Sequence, residues 1–254
     1  MSLVKCAALV EYDGAPFLGF QSQVGGRTVQ DELEAALERL TGNRVRIKGA
    51  SRTDAGVHAE GQVISFWVGE RFSVTNIVRG LNFYLPAGIA VRGVCRIESS
   101  FDVRRMATAR GYRYNILSRA ERAPLEERFA LRVGRELDVR RMREACRFLH
   151  GTHDFRAFAT SLEETECTVR TVSEARLIRG DGVVLFWIVA NAFLRHQVRN
   201  TVGQLIQVGL GKCTVEEFAD LIECGHKAVA GPAASPRGLS LVEVRYAAAL
   251  PFAS

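Results

Sequence analysis

The residue types in this chain that could do chemistry are concentrated in one short segment, residues 52–58, with the sequence RTDAGVH. Arg52 precedes Asp54 by two positions, and runs typical of β-strands, at 44–50 and 61–68, flank the segment. A loop between two strands can present a carboxylate to a ligand while the sheet fixes its position. An Asp and an Arg close together in such a loop indicate a site that uses an ionised carboxylate.

The same segment also has an ordinary structural interpretation. Asp54 could accept hydrogen bonds from nearby backbone N–H groups in an Asx-turn, and Arg52 could pair with it at the surface. This interpretation holds for most Asp residues in turns. The concentration of Arg52, Asp54, Gly56 and His58 within seven residues favours a functional site instead.

The composition is that of a globular protein that favours an anionic partner. The chain has 254 residues, of which 47% are hydrophobic and 24% charged, and a formal net charge of +6. Thirty of the 34 basic residues are Arg, whose planar guanidinium binds phosphate through two parallel contacts. Residues 1–104 carry a net charge of +1 (12 basic, 11 acidic) and residues 105–254 a net charge of +5 (22 basic, 17 acidic). The second half is therefore expected to bind much of an anionic partner. Arginine clusters at 104–105 and 140–143 are most often solvated faces, but they could bind phosphates.

The cysteines and the N-terminal segment indicate a cytoplasmic protein. The six cysteines are scattered and include no C-x-x-C pair, which is typical of reduced thiols. Residues 1–10 contain Lys5 and lead directly to Glu11, so they predict no targeting segment. No apolar run reaches about 18 residues, and no membrane span is predicted.

One cluster of potential metal ligands occurs near the middle of the chain. Cys146, His150 and His153 have a spacing that could hold zinc, and Asp154 follows directly. A core thiol at the end of a helix is the commoner arrangement for such a sequence, so we predict no metal site here.

The hydrophobic patterns predict an α/β (α+β) fold made of two ferredoxin-like lobes. In the first hundred residues the predicted order is β-α-β-β-α-β, an antiparallel sheet with two helices on one face. The predicted elements are strands at 3–11, 44–50, 62–68 and 89–97, a helix from Thr28 to Gly42 and a helix at 73–84.

The second half contains a similar set of elements. We predict a long strand or hairpin at 107–117 and strands at 170–178, 183–189 and 240–246. We also predict helices at 194–209 and 214–224, and a helix capped by Asp138. The run 183–189 is apolar on both faces, which predicts a strand in the middle of a sheet. We expect two domains, 1–104 and 105–254, joined in one extended, mostly antiparallel sheet with a central basic cleft.

Three segments of the chain resemble the signature segments of the tRNA pseudouridine synthase A family. The first is 50–59 (ASRTDAGVHA) with 61–63 (GQV), together with 12–14 (YDG), Phe17, Gly19 and 28–30 (TVQ) upstream of it. The second is 109–114 (ARGYRY), and the third is 191–200 (NAFLRHQVRN). The similarity runs in order from about residue 5 to about residue 246, nearly the whole chain.

The resemblance implies an enzyme that isomerises uridine to pseudouridine in the anticodon stem-loop of tRNA, at positions 38, 39 and 40. It implies a homodimer that needs no cofactor. By matching positions, Asp54 is the nucleophile, Tyr112 stacks on the target base and acts at its proton, and Arg199 pairs with the catalytic carboxylate. Arg52 and Leu194 are implied as further substrate-binding residues. A nearby Arg lowers the pKa of a carboxyl and so keeps it ionised.

A non-catalytic RNA-binding protein on the same scaffold is the alternative, because ferredoxin-like sheets often bind RNA through aromatic residues. Tyr112 and Tyr114 could be ordinary strand residues, and Arg195 and Arg199, four positions apart, could form the charged face of a helix. Binding alone would not require a buried carboxylate that faces phosphates. The set of Asp54, Tyr112 and Arg199 therefore favours the enzyme.

Overall fold

The structure is a computed structural model that describes residues 2–160, 167–223 and 231–253. The chain divides into two compact units. Unit 1 comprises Met1–Arg110 and Ser240–Ser254, and unit 2 comprises Gly111–Leu239. The division into domains at residues 104 and 105 stays a prediction. It placed the last strand of the chain in the second lobe, whereas that strand belongs to unit 1 from Ser240 onward.

The described residues form ten strands and five α-helices, and the strands belong to one mostly antiparallel sheet. This confirms the predicted fold class. The predicted cleft stays a prediction. The strands are β1 (Leu3–Tyr12), β2 (Lys48–Gly49), β3 (His58–Gly69), β4 (Ile89–Ile97), β5 (Ala107–Ser118), β6 (Leu131–Val133), β7 (Gly151–Asp154), β8 (Val169–Arg179), β9 (Val183–Ala190) and β10 (Leu239–Tyr246). The helices are α1 (Val29–Thr41), α2 (Val74–Tyr84), α3 (Val139–Cys146), α4 (Gln197–Gly209) and α5 (Val215–Glu223). None of the helices in the described ranges is both long and apolar enough to cross a membrane.

Unit 1 has the predicted ferredoxin-like order of elements. Its strands lie in the order β4-β1-β3-β10, and β2 pairs with β3. Helix α1 begins as predicted, since Thr28 accepts a hydrogen bond from the backbone of Asp31 at 3.2 Å. It also ends as predicted at Gly42, whose φ of 75° is left-handed. Helix α1 packs on α2, which packs on β4.

The predicted strand at 44–50 is wrong over most of its length, because only Lys48–Gly49 is a strand. The backbone N–H of Ile47 donates to the Glu34 carboxylate of α1 at 3.1 Å instead of to a neighbouring strand. Arg46 also binds that carboxylate, at 2.9 Å. Contacts with a helix more than ten positions away therefore replace the ladder that the alternating pattern indicated.

In unit 2 the strands lie in the order β5-β9-β8-β7, with β6 beside β5. The hairpin between β8 and β9 turns at Gly182, whose φ is 68°. Strand β9 lies between β5 and β8, which confirms the prediction of a central strand for 183–189. Sequence patterns did not reveal the short strands β6 and β7.

Helix α4 begins at Gln197, three residues after the predicted start. Its N-cap, His196, has a φ of 62°, and the side chain of Gln197 accepts the backbone N–H of Leu194 at 2.8 Å. Residues 194–196 therefore form a turn. The prediction that Arg195 and Arg199 share a helix face is wrong, because Arg195 lies outside the helix.

Candidate active site

Residues 51–57, which we call the Asp54 loop, connect β2 to β3 and are held first by Gln62 of β3. The Gln62 side chain is 0% exposed. Its Nε2 donates to the carbonyl of Ser51 at 2.7 Å, and its Oε1 accepts the backbone N–H of Ser51 at 3.2 Å. Both polar atoms of the buried Gln62 amide are thus hydrogen-bonded to Ser51. These two bonds fix the position at which the loop leaves the sheet.

The residue before Asp54 is held by a second strand. The hydroxyl of Thr53 lies 2.7 Å from the hydroxyl of Tyr12, the last residue of β1, and both side chains are buried. The carbonyl of Thr53 accepts the backbone N–H of Phe20 at 3.1 Å. Side chain and backbone of Thr53 are therefore both engaged, and the Asp54 backbone starts from a fixed position.

The segment after β1 contacts the Asp54 loop through two glycines. A Cβ at Gly14 would lie 2.0 Å from the carbonyl oxygen of Val57, so only glycine fits there. Gly19 has a φ of 94°, and a Cβ there would lie 2.8 Å from the carbonyl oxygen of Thr53. The close contact between the segment after β1 and the Asp54 loop therefore requires glycine at both positions.

The end of the Asp54 loop is closed by backbone hydrogen bonds. Val57 N–H donates to the carbonyl of Asp54 at 3.1 Å, and Gly56 N–H donates to the carbonyl of Phe17 at 3.3 Å. Gly56 has a left-handed φ of 76°. Asp54 itself is half-buried. The backbone of Asp54 is therefore fixed, and part of the residue stays accessible to a ligand.

A buried imidazole follows directly. His58 is 4% exposed, and its Nδ1 lies 3.1 Å from the backbone N–H of Gly14 and 3.1 Å from the carboxylate of Asp13. A neutral ring can accept the Gly14 N–H, and a protonated ring can pair with Asp13. Either form ties the first residue of β3 to the turn after β1.

Arg52, the other charged residue of the loop, is exposed. Partial burial and the nearby positive charge of Arg104 lower the pKa of its guanidinium. Among the described residues no carboxylate pairs with Arg52, so the surface pairing with Asp54 in the structural interpretation does not occur. The role of Arg52 in substrate binding stays a prediction.

In unit 2 the second and third signature segments lie together. Tyr112 of β5 is 6% exposed, and its ring meets Phe193 edge to face with centroids 5.1 Å apart and an interplanar angle of 87°. Tyr114 is a core residue, as its structural interpretation predicts. Its hydroxyl donates to the carbonyl of Ser235 at 2.6 Å, and burial raises its pKa. Tyr112 therefore contacts the third segment through the ring of Phe193.

Arg199 projects from the first turn of α4, and its backbone and side chain are both tied to Ala234. Its Nε donates to the carbonyl of Ala234 at 2.9 Å, and Ala234 N–H donates to the carbonyl of Arg199 at 3.0 Å. Leu194 is 4% exposed and lies in the turn that precedes the helix. The pairing of Arg199 with Asp54, and the contact of Leu194 with substrate, stay predictions.

The structure also describes the cysteine and histidine residues whose spacing could hold zinc. The thiol of Cys146 is 2% exposed, and burial raises its pKa to about 12. The Nε2 of His153 lies 2.9 Å from the carbonyl of His150. The role of Gln62 in holding the Asp54 loop was not predicted from the sequence, although its segment belongs to the family resemblance. A polar residue inside an otherwise apolar strand is a usable signal, since buried polar groups need partners.

A comparison with protein families decides what kind of protein this is. The family described as tRNA pseudouridine synthase matches residues 8–104 and 145–247, most of the chain and two of the three signature segments. The chain belongs to the tRNA pseudouridine synthase family. It is an enzyme, an isomerase that converts uridine to pseudouridine in tRNA.

Individual relatives of this synthase agree with the family match. A protein of Roseiflexus sp. (strain RS-1) named tRNA pseudouridine synthase A is 45% identical over 244 residues, 94% of this chain and 90% of that protein. One of the same name from Clostridium kluyveri is 34% identical over 238 residues, 94% of this chain and 98% of that protein. Among solved structures, an archaeal box H/ACA sRNP Nop10-Cbf5 complex has a chain with a TM-score of 0.32 and 10% identity, covering 80% of this chain and 54% of that chain. The sequence relatives do not favour the alternative of a non-catalytic RNA-binding protein.

Proposed function

We propose that the enzyme acts on the uridines at positions 38, 39 and 40 of the tRNA anticodon stem-loop, with Asp54 as its nucleophile. The observation that carries the proposal is the support of the Asp54 loop by Gln62, Tyr12 and Gly19. Rigid support of a single carboxylate suits a reaction in which that group must meet one atom of a flipped nucleotide. The resemblance of the signature segments supplies the tRNA positions.

The chemistry needs only groups that the chain contains. The bond between the ribose carbon and the ring nitrogen of uracil breaks, the base turns, and a ring carbon bonds to the same ribose carbon. The proton on that ring carbon is then lost, and the ring nitrogen that leaves the ribose gains one. Asp54 attacks the ribose and later departs, which covalent catalysis by a carboxylate allows. The product is an isomer of the substrate, so the reaction consumes no redox or group-transfer cofactor.

We propose that Tyr112 stacks on the target base and acts at the proton lost from its ring carbon. Removing a base from its stack costs a few kcal/mol, and stacking on an aromatic side chain returns about 1–3 kcal/mol. The edge-to-face contact with Phe193 supports the orientation of the Tyr112 ring. Arg52, Arg199 and Leu194 are proposed as further substrate-binding residues.

We also propose that the enzyme is a cytoplasmic homodimer. Free thiols at all five described cysteines are compatible with a reducing compartment. Cys224, the sixth, lies outside the described residues. Light scattering of the purified protein at several concentrations tests the dimer, which predicts twice the 28.0 kDa mass of one chain.

Release of a hydrogen label tests the proposed reaction and its sites together. Unmodified tRNA is labelled at the uracil carbon that becomes bonded to ribose, in transcripts that carry uridine at only one of positions 38, 39 and 40, or at none of them. Wild-type enzyme should release label from the first three transcripts and not from the fourth. Asp54→Asn should release none, whereas Asp181→Asn, the same change at an exposed hairpin position, should match wild type. Equal release by Asp54→Asn and wild type would remove Asp54 as the nucleophile, and release from the fourth transcript would contradict the positions.

A further inference from the structure

We infer that the turn at residues 102–106, which we call the Arg104 turn, binds a backbone phosphate of the tRNA next to the nucleotide that Asp54 attacks. The inference rests on the proposed function and adds a substrate contact to it. The groups that bind the phosphate are the guanidinium groups of Arg104 and Arg105, with Arg52 of the Asp54 loop beside them. Neither Arg104 nor Arg105 belongs to the signature segments of the sequence.

The first supporting observation is that hydrogen bonds hold the backbone of the Arg104 turn. The carboxylate of Asp102 accepts the backbone N–H groups of Arg104 at 2.9 Å and Arg105 at 3.1 Å. The carbonyl of Asp102 accepts the N–H of Met106 at 2.9 Å. Lys48 neutralises the same carboxylate at 2.9 Å. The only carboxylate of the turn is therefore occupied by the turn itself and by Lys48, and the two arginine side chains extend into solvent from a fixed backbone.

A second observation connects this turn to the Asp54 loop. The Nη2 atom of Arg110 donates to the carbonyl of Arg104 at 2.7 Å and also to the carbonyl of Ala50 at 3.2 Å. Two carbonyl groups that share one donor nitrogen must be close together. Ala50 directly precedes the loop, and Arg52 is two residues further on. Consecutive Cα atoms are about 3.8 Å apart, so a group bound here is within reach of a nucleotide at Asp54.

The third observation is an uncompensated charge. The side chains of Arg52, Arg104 and Arg105 are exposed, and no carboxylate in the described ranges pairs with any of them. Arg104 lies near enough to Arg52 to lower its pKa. By contrast, the exposed Arg46 of the same unit pairs with Glu34 at 2.9 Å. Like charges held together without a counter-ion repel each other, and an anion between them relieves that repulsion.

An RNA phosphate fits this site better than an acidic protein segment does. Guanidinium groups bind phosphate oxygens in pairs, and the nucleotide attacked at its ribose carries a phosphate on either side. The ligand is therefore part of the substrate that the neighbouring carboxylate already requires.

The salt dependence of tRNA binding tests the inference. All variants are made with Asp54→Asn, so that binding is measured without turnover. Binding of unmodified tRNA is followed from about 50 to 200 mM salt. The plot of log K for association against log salt has a negative slope, and the magnitude of that slope decreases by about 1 for each phosphate that the protein no longer neutralises. The double change Arg104→Ala with Arg105→Ala should reduce the slope by about 1 to 2. Arg46→Ala removes one positive charge whose partner is Glu34, so it should leave the slope unchanged.

Two further arms separate the outcomes. Replacing both arginines by Lys keeps the charge, so it should recover most of the slope, and thermal unfolding of every variant checks that the fold is kept. If the salt dependence of tRNA binding has the same slope for the double Ala variant as for Arg46→Ala, the inference is overturned. This holds whether or not the Arg104 turn binds an acidic protein. Label release by otherwise wild-type enzyme is measured in parallel. If the enzyme with an intact Asp54 releases no label, the proposed function is contradicted. If it releases label but the double Ala variant shows an unchanged slope, only this inference is contradicted.

Discussion

At the scale of single residues, Gly19 controls how closely the chain after β1 approaches the Asp54 loop. Its φ of 94° is left-handed, and a Cβ there would lie 2.8 Å from the carbonyl oxygen of Thr53. Backbone cannot move aside as a flexible side chain can. The geometry of Asp54 therefore depends on a residue that has no side chain of its own.

We predict that Gly19→Ala reduces both stability and label release. The matched control is Gly25→Ala, since Gly25 has a φ of 105° and nothing within 4 Å of the added Cβ. Both changes carry the backbone strain of about 1–2 kcal/mol, but only Gly19→Ala adds a backbone clash. Urea unfolding should show Gly19→Ala less stable than Gly25→Ala by at least about 1 kcal/mol, with slower turnover. Equal effects of the two changes would show that the close approach does not matter.

Arg199 gives a second prediction at this scale. If Arg199 acts on the reacting groups, Arg199→Ala should lower kcat by about tenfold or more and change the Kd for tRNA much less. The control is Arg195→Ala, because Arg195 is exposed in the turn before α4 and carries the same charge. Single-turnover label release and filter binding measure the two quantities. A change confined to Kd would assign Arg199 to binding alone.

At the scale of elements, the Arg104 turn makes stability depend on pH. The hydrogen bond from Lys48, together with those from the backbone of Arg105 and Arg104, lowers the pKa of Asp102 to about 2. Its ordinary value is about 3.9. A carboxyl whose pKa is lower in the folded state stabilises the fold above its unfolded pKa, and the stabilisation is lost as pH falls through the folded pKa.

We predict that Asp102→Asn lowers the free energy of unfolding by about 1 kcal/mol at pH 6, since the ion pair is partly solvated. The difference from wild type should narrow as pH falls from 4 towards 2. Urea unfolding at a series of pH values measures it. Lys48→Gln removes the principal cause of the lowered pKa and should weaken the same pH dependence. A constant difference between wild type and Asp102→Asn at all pH values would contradict the assignment.

Helix α1 and strand β2 show which parts of an element local signals predict and which depend on distant contacts. Helix α1 follows from its cap at Thr28 and its end at Gly42, both within the segment itself. Strand β2 is shorter than its pattern indicates because Glu34 of α1 binds the backbone of Ile47. The carboxylate at Asp54 could be identified from its segment. The hydrogen bonds that support it could not be predicted, because they join Gln62 and Tyr12 to the loop only after folding.

At the scale of the whole molecule, unit 1 is built from both ends of the chain. Strand β10 runs parallel to β3 at Ser240 and Leu241, and the hydroxyl of Tyr246 donates to the carbonyl of Val103 at 2.8 Å. The residues after β10 continue across the unit. This arrangement makes the sheet that carries the Asp54 loop dependent on the last residues of the chain.

The final prediction concerns those residues. Ala253 and Val94 exchange backbone hydrogen bonds of 2.9 and 3.0 Å, and Leu250 and Phe252 pack on a core cluster that includes Val63. Ending the chain after Tyr246 removes these contacts and should lower the free energy of unfolding by about 3–5 kcal/mol, with loss of label release. Phe83→Ala is the control, because that ring is 80% exposed and its removal should cost less than about 0.5 kcal/mol. Urea unfolding compares the two. A truncated chain as stable as the control would mean that the terminal segment only covers the sheet and does not hold it.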